Sequence, residues 1–248
     1  MAFLDSTVLN VALPAVQKDL GATAQEVQWI YGAYALVLAA LMLVGGSLGD
    51  RYGRRRLFVV GAAVFGAASV WCAMAPGTEQ LIIARTALGL GGALLVPGSL
   101  AILGASIEAE YRTKAIGLWG GLSGTAMAVG PVAGGLLVEE VSWRAALLIN
   151  PALAVAAIVV SLLHVPESRD SQVRGLDLFG VALATLGLAG LVYALIESPS
   201  SGLGDPAVLA ALALGALSLA AFVFAERRSA EPMVPPALSA LASSTGQT

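Results

Sequence analysis

Two ionisable residues sit in stretches that otherwise hold mostly apolar side chains: Asp5, within Phe3-Leu4-Asp5-Ser6-Thr7-Val8-Leu9-Asn10, and Arg85, within Ile82-Ile83-Ala84-Arg85-Thr86-Ala87-Leu88. A carboxyl group in a low-dielectric cavity is driven towards its neutral form by desolvation and towards the anion by a nearby cation, so moving the cation loads and unloads a proton. Ser6, Thr7 and Asn10 supply polar neighbours for Asp5. Its position four residues from Met1 also suits a solvated helix cap. A permanent cation in hydrocarbon costs at least about 2.5–3.5 kcal/mol. Arg85 therefore either has a compensating partner or snorkels to the surface. Gly89 and Gly92 follow on its helical face, which points Arg85 towards other helices.

Two further groups carry structural chemistry. Gly46-Ser47-Leu48-Gly49-Asp50-Arg51-Tyr52-Gly53-Arg54-Arg55-Arg56-Leu57 combines glycines that permit a tight turn with a carboxylate that can pair with a helix N-terminus or a nearby arginine. It reads as a conformational latch between two helices or as a set of arginines that anchor topology. Further on, Gly117, Gly121, Gly124, Ala128, Pro131 and Gly135 share one helical face. Small residues there let another backbone approach closely, and the proline allows a bend. Static packing and a face that rocks against a partner both fit.

The elements that carry these residues follow from composition. Of 248 residues, 58% are hydrophobic and 12% charged, with a net charge of -3 and a mean hydropathy of +0.85; a soluble domain carries about 25% charged residues. This excludes a water-soluble globule, a disordered chain and a nucleic-acid binder. The single cysteine, Cys72, excludes a disulfide framework, and no metal-ligand cluster, phosphate loop or hydrolytic triad is present, so neither a cofactor nor an enzyme is expected. No cleavable signal peptide stands out. Apolar windows near 1–17, 28–48, 57–76, 80–104, 115–138, 143–165, 176–196 and 206–225 predict an all-α polytopic membrane bundle of about eight transmembrane helices. Polar residues 166–175 mark a cytoplasmic linker between a six-helix bundle, 1–165, and a helix pair, 176–225; residues 226–248 form a tail. The first span, Met1 to Val16, reaches only about 24 Å against roughly 30 Å of hydrocarbon. Either it thins the bilayer or the natural chain begins upstream.

Ten of the thirteen basic residues (Arg51, Arg54, Arg55, Arg56, Arg112, Lys114, Arg169, Arg174, Arg227 and Arg228) fall in alternate connections and at the tail. Lys18 and Arg144 fall in the other set, which is net acidic, and Trp29, Trp71 and Trp143 lie at that side's interface. The positive-inside rule makes the basic side cytoplasmic, with both chain ends on it, in a plasma-membrane protein.

The latch segment resembles the signature loop between the second and third helices of the major facilitator superfamily. Leu4 to Pro14 resembles the first-helix motif of its fourteen-span drug:proton antiporters, the EmrB/QacA type. Arg85-Thr86-Ala87-Leu88-Gly89-Leu90-Gly91-Gly92-Ala93 resembles the fourth-helix motif, with Leu88 where glutamine is usual. Gly130-Pro131-Val132-Ala133-Gly134-Gly135 is similar to the end of the fifth-helix antiporter motif. The resemblance implies proton-coupled efflux of small amphipathic, drug-like compounds by alternating access. It assigns proton coupling to Asp5 and Arg85, latching to Gly46, Gly49, Asp50, Arg51, Gly53, Arg54 and Arg55, and leak-tight exchange to Gly121, Gly124, Gly130, Pro131, Gly134 and Gly135. Lipid, protons, substrate and a missing C-terminal half are the implied partners. Eight spans equal one six-helix half plus the extra pair, so the chain alone is not expected to transport; a non-transporting fragment or subunit and a metabolite symporter are the alternatives.

Overall fold

The computed structural model describes residues 1–169 and 178–228. Helices account for nearly all of them: α1 (Ala2–Leu20), α2 (Ala24–Tyr52), α3 (Arg54–Met74), α4 (Thr78–Ser106), α5 (Ala109–Glu140), α6 (Trp143–Leu147), α7 (Ile149–His164), α8 (Leu178–Ser201) and α9 (Pro206–Arg228). The chain divides into two compact units, Met1–Arg174 and Gly175–Thr248. Among the described residues seven helical stretches are long and apolar enough to cross a membrane, with α6 and α7 together forming one of 22 residues. The remaining long helix, α1, carries Asp5, Lys18 and Asp19. It continues four residues past the expected end at Val16, and its 19 residues reach about 28 Å, close to the hydrocarbon thickness. Residues 170–175 of the expected linker, 176–177 at the start of the expected helix pair and 229–248 of the expected tail lie outside the described residues.

Helix boundaries have local causes. Gly21 closes α1 in the left-handed region at φ 64°, where a Cβ would clash with the backbone. Thr23 and Glu26 form a reciprocal capping box at the start of α2, satisfying two backbone donors that a helix start leaves open. Asp205 accepts from the amides of Ala207 and Val208 to start α9, with Pro206 in its first turn. The sixth span is broken at Leu148, three residues before Pro151. Proline has no N–H for the carbonyl four residues back, here that of Leu147, and its ring crowds that carbonyl.

Glycines set the packing within the first unit. A Cβ on Gly45 of α2 would collide with the Ala93 carbonyl of α4, and one on Gly91 of α4 would sit 2.6 Å from the Phe65 amide nitrogen of α3. The three backbones are thus nearly in contact, which brings many weak dispersion contacts where lipid offers no hydrophobic drive for association. Two apolar clusters result. One holds Leu9, Val16, Ile30, Leu81, Trp143 and Leu147, and the other Tyr34, Phe65, Leu88 and Leu95. In the second unit, Gly187, Gly190 and Gly215 bring α8 and α9 together in the same way.

Candidate functional site

Asp5 and Arg85 meet in the first unit. Both side chains are 0% exposed, and Arg85 Nη1 donates to Asp5 Oδ2 at 2.6 Å. Asp5 is therefore not a solvated cap, and Arg85 does not snorkel. Arg85 Nε donates to the Ile30 carbonyl of α2 at 3.2 Å. Its guanidinium lies 4.6 Å from the centre of the Tyr34 ring, within reach of the ring's negative face. Gly89 and Gly92 face Tyr34, Val37 and Leu38 of α2, so the helical face that bears Arg85 is turned inward as its spacing implies.

The other oxygen of Asp5 has a partner that the sequence did not nominate. Asn150 Nδ2, near the start of α7, donates to Asp5 Oδ1 at 2.7 Å and to Ser69 Oγ of α3 at 3.0 Å. Ser69 in turn donates to the Leu147 carbonyl at 3.1 Å. Five elements thus converge on one buried carboxylate: α1 supplies it, α4 the cation, α2 the ring and a carbonyl, α3 and α7 the remaining polar groups. The expected neighbours of Asp5 behave otherwise. Ser6 and Thr7 turn their hydroxyls to carbonyls of their own helix, and Asn10 is exposed. A lone amide in the apolar sixth span was the available signal for Asn150, because polar groups at membrane depth are paired and functional as a rule.

Two clefts flank the start of α1. One of about 240 Å³ is lined chiefly by apolar and aromatic residues, among them Phe3, Tyr31, Tyr34, Leu38 and Met42. The other, about 170 Å³, is also lined by Phe3, together with Phe58, Trp119 and Ser123. Phe3 and Trp119 meet edge to face at 6.1 Å, and the Trp119 indole donates to Ser99.

At the other candidate site, Asp50 pairs with Arg54 one turn on, at 2.7 Å. Gly53 between them adopts φ 116°. A Cβ there would lie 2.7 Å from Glu167 Oε1. Glu167 accepts from the Arg55 amide at 3.1 Å and lies 3.6 Å from the Arg56 guanidinium. Arg55 Nη1 reaches the Val165 carbonyl, and the Arg54 amide the Ser168 carbonyl. The tie therefore joins the start of α3 to residues 165–168 after α7, a connection that the order of residues in the loop did not reveal. Gly49 is buried and accepts the Gly53 amide, Gly46 approaches Pro97, and Arg51 lies exposed over Tyr52. On the opposite side, Asp19 accepts from Arg144 and from the Trp143 indole, and Arg144 also reaches the Ala75 carbonyl. The Arg144 and then the Trp143 hydrogen bond hold the Asp19 carboxyl below its ordinary range.

The small residues of α5 part into two faces. Gly130 and Gly134 are buried against Thr7 and Val8 of α1. Gly117, Gly121, Gly124, Ala128 and Pro131 are exposed, and a Cβ on Gly117, Gly121 or Gly124 would meet nothing. The face expected to pack tightly is open in this chain, with only Gly135 approaching Val11. Gly121 and Gly130 are nine residues apart, about two and a half turns, and so lie on opposite sides of the helix.

A profile described as Major Facilitator Superfamily matches residues 1–235. The puromycin resistance protein of Streptomyces alboniger is 42% identical over 97% of this chain and 48% of its own length. The tetracenomycin C resistance and export protein of Streptomyces glaucescens is 37% identical over 96% of this chain and 44% of its own length. The multidrug efflux pump LfrA of Mycolicibacterium smegmatis is 38% identical, with 93% and 46% covered. The chain spans about half the length of these curated relatives. A crystal structure of a POT peptide transporter superposes with a TM-score of 0.68 at 16% identity, covering 92% of this chain and 50% of that one. A bacterial homologue of the human lysosomal transporter Spinster, inward-facing and unoccupied, superposes with 0.55 at 20% identity, covering 89% and 57%.

Proposed function

The chain belongs to the major facilitator superfamily, and from that membership we propose that its six-span unit is the first half of an exporter that exchanges a small amphipathic, drug-like compound for a proton. It is a multi-pass membrane protein; its place in the plasma membrane, with both described ends on the cytoplasmic side, is the reading that the bias of basic residues supports. The observation that carries the exchange is the fully buried Asp5–Arg85 pair beside an aromatic, apolar cleft. In that dry setting the carboxylate holds its charge only while the guanidinium stays near, so a conformational change that separates the two delivers a proton to Asp5. A proton moving inward down the potential yields about 2.3 kcal/mol per 100 mV, which offsets export of the compound.

The cleft next to Tyr34 holds about 240 Å³, below the roughly 300–1,000 Å³ of a drug-sized pocket. A second bundle completes it, and the open face of Gly117, Gly121, Gly124 and Pro131 is where that bundle rocks against α5. The ties at Asp50, Arg54, Arg55 and Glu167 on one side and Asp19, Arg144 and Trp143 on the other hold the ends of the bundle together in each half of the cycle. The resistance and efflux functions named for the relatives support drug-like compounds as cargo.

Efflux from energised cells, with and without a proton uncoupler, tests the reading on the chain alone and on the chain joined to a second six-helix half. The joined protein is expected to lower intracellular drug in an uncoupler-sensitive way, and Asp5→Asn to abolish this while leaving insertion intact. Full efflux by Asp5→Asn refutes the proton role. Uncoupler-sensitive uptake instead of efflux makes the protein a symporter, and loss of function in both forms makes the chain a non-transporting subunit.

A further inference from the structure

The ionised form of Asp5 is well served, and the protonated form is not. Its two oxygens accept from Arg85 Nη1 and Asn150 Nδ2, both donors. An acid O–H needs an acceptor, and a guanidinium has none to offer. The titratable groups around Asp5 are Arg85 of α4, Tyr34 of α2, Cys72 of α3 and the Met1 amine of its own segment; α7 contributes the uncharged Asn150. Among the described residues, the buried side-chain acceptor without a partner belongs to the same amide: Asn150 Oδ1. A half-turn of that amide about its Cβ–Cγ bond exchanges Nδ2 for Oδ1 at the carboxyl group.

We propose that Asn150 is the positioning residue that lets Asp5 exist in both protonation states, and that Ser69 passes the change to the break between α6 and α7. With Asp5 ionised, the amide donates to it and to Ser69, and Ser69 donates to the Leu147 carbonyl. That carbonyl faces Pro151 four residues on, which has no N–H to return, so the Ser69 hydroxyl replaces the missing helical donor. When a hydronium ion gives up one proton to Asp5 Oδ1, breaking its own O–H bond and leaving a water, the amide turns and Asn150 Oδ1 accepts the new O–H. The Ser69 hydroxyl, which now faces an amide oxygen instead of an N–H, swings from Leu147 to that oxygen. No bond other than the new O–H forms, Arg85 keeps its charge, and the carbonyl at the break loses its substitute donor. Protonation at α1 thereby loosens the bend in the sixth span. The inference rests on Asp5 as the proton-carrying group.

Infrared pH-difference spectra of the full chain in lipid nanodiscs test it, with the acid C=O band of Asp5 assigned by its loss in Asp5→Asn. A hydrogen-bonded acid O–H lowers that band. Asn150→Leu, which keeps the volume and removes donor and acceptor, is expected to move it to higher frequency, and Asn150→Thr, whose hydroxyl does both jobs, to return it towards the wild-type position. Spin labels at the exposed positions Val141 and Leu163 (Val141→Cys, Leu163→Cys) read the bend. The pH-dependent change in their separation is expected in the parent chain and lost in both Asn150→Leu and Ser69→Ala. An unmoved band in Asn150→Leu, or a pH response retained in Ser69→Ala, overturns the relay while leaving Asp5 as the proton site. Absence of any band that Asp5→Asn removes overturns the underlying reading instead. If Asn150→Leu does not fold, Ser69→Ala and the Asn150→Thr band still decide the matter: a Thr band at the free-acid position refutes the proposal.

Discussion

Arg85 is the largest side chain with no exposed surface in the described chain, and replacing it by Met tests how the site is held together. Arg85→Met keeps much of the stem's packing but deletes the 2.6 Å ion pair with Asp5, the bond to the Ile30 carbonyl and the contact with the Tyr34 ring. Breaking a buried pair by removing one partner costs about 3–5 kcal/mol, because the remaining charge is left without compensation. Loss of the desolvated ring contact adds about 2 kcal/mol. Removing both charges, as in the double variant Asp5→Asn with Arg85→Met, eliminates the uncompensated carboxylate and is expected to cost less than Arg85→Met alone. Asp5→Asn alone strands the guanidinium and carries a penalty of the same order as the arginine change. Equilibrium unfolding of the four proteins in mixed micelles closes the cycle, and a coupling energy of several kcal/mol is expected. Additivity within about 0.5 kcal/mol, the behaviour of independent sites, refutes the mutual dependence of the two residues.

The two faces of α5 separate cleanly in a second comparison. Gly130→Ala drives a methyl group into Thr7 and is expected to lower stability by about 1–3 kcal/mol, as overpacking does, whereas Gly121→Ala meets open space and is expected to raise it by about 0.5–1 kcal/mol through helix propensity. Glu167→Gln weakens the tie that Arg55 and Arg56 make to residues 165–168; limited proteolysis is expected to cut that segment sooner, with α-helix content unchanged by circular dichroism. The carboxyl of Asp19 is held below its ordinary range by Arg144 and Trp143, so its tie is fully present above the unfolded value of about 3.9 and is lost as the pH falls through the lower folded value. Tryptophan emission is expected to stay flat from neutral pH down to that range and to change only below it, a response that disappears in Asp19→Asn.

The helices were legible because spanning segments announce themselves in runs of apolar residues; the cap at Gly21 and the Thr23–Glu26 box, which set their ends, are short polar signals that those runs do not reveal. Asp5 and Arg85 stood out one at a time, since a charge in an apolar run is costly wherever it lies. Their union was not legible: they are 80 positions apart, and nothing local states which neighbour repays the cost. Asn150 escaped notice because an amide is cheaper to bury than an ion and raises a weaker alarm. The small residues of α5 divide for a geometric reason. Glycine occurs on opposite sides of that helix, and periodicity finds each stripe without stating that α1 takes the one at Gly130 and leaves the one at Gly121 open. The tie to Glu167 was hidden in the same way, because an acidic residue after the sixth span looks like ordinary loop polarity until the turn at Gly53 brings it into range.

The buried carboxylate also sets an order of events during synthesis. Asp5 leaves the ribosome 80 residues ahead of Arg85 and 145 ahead of Asn150. At about 5–20 residues per second, the acid waits roughly 4–16 s for its cation and about 7–29 s for its amide. For that interval α1 cannot settle among its neighbours with an ionised Asp5, so it reaches its final place only after helices that are made later.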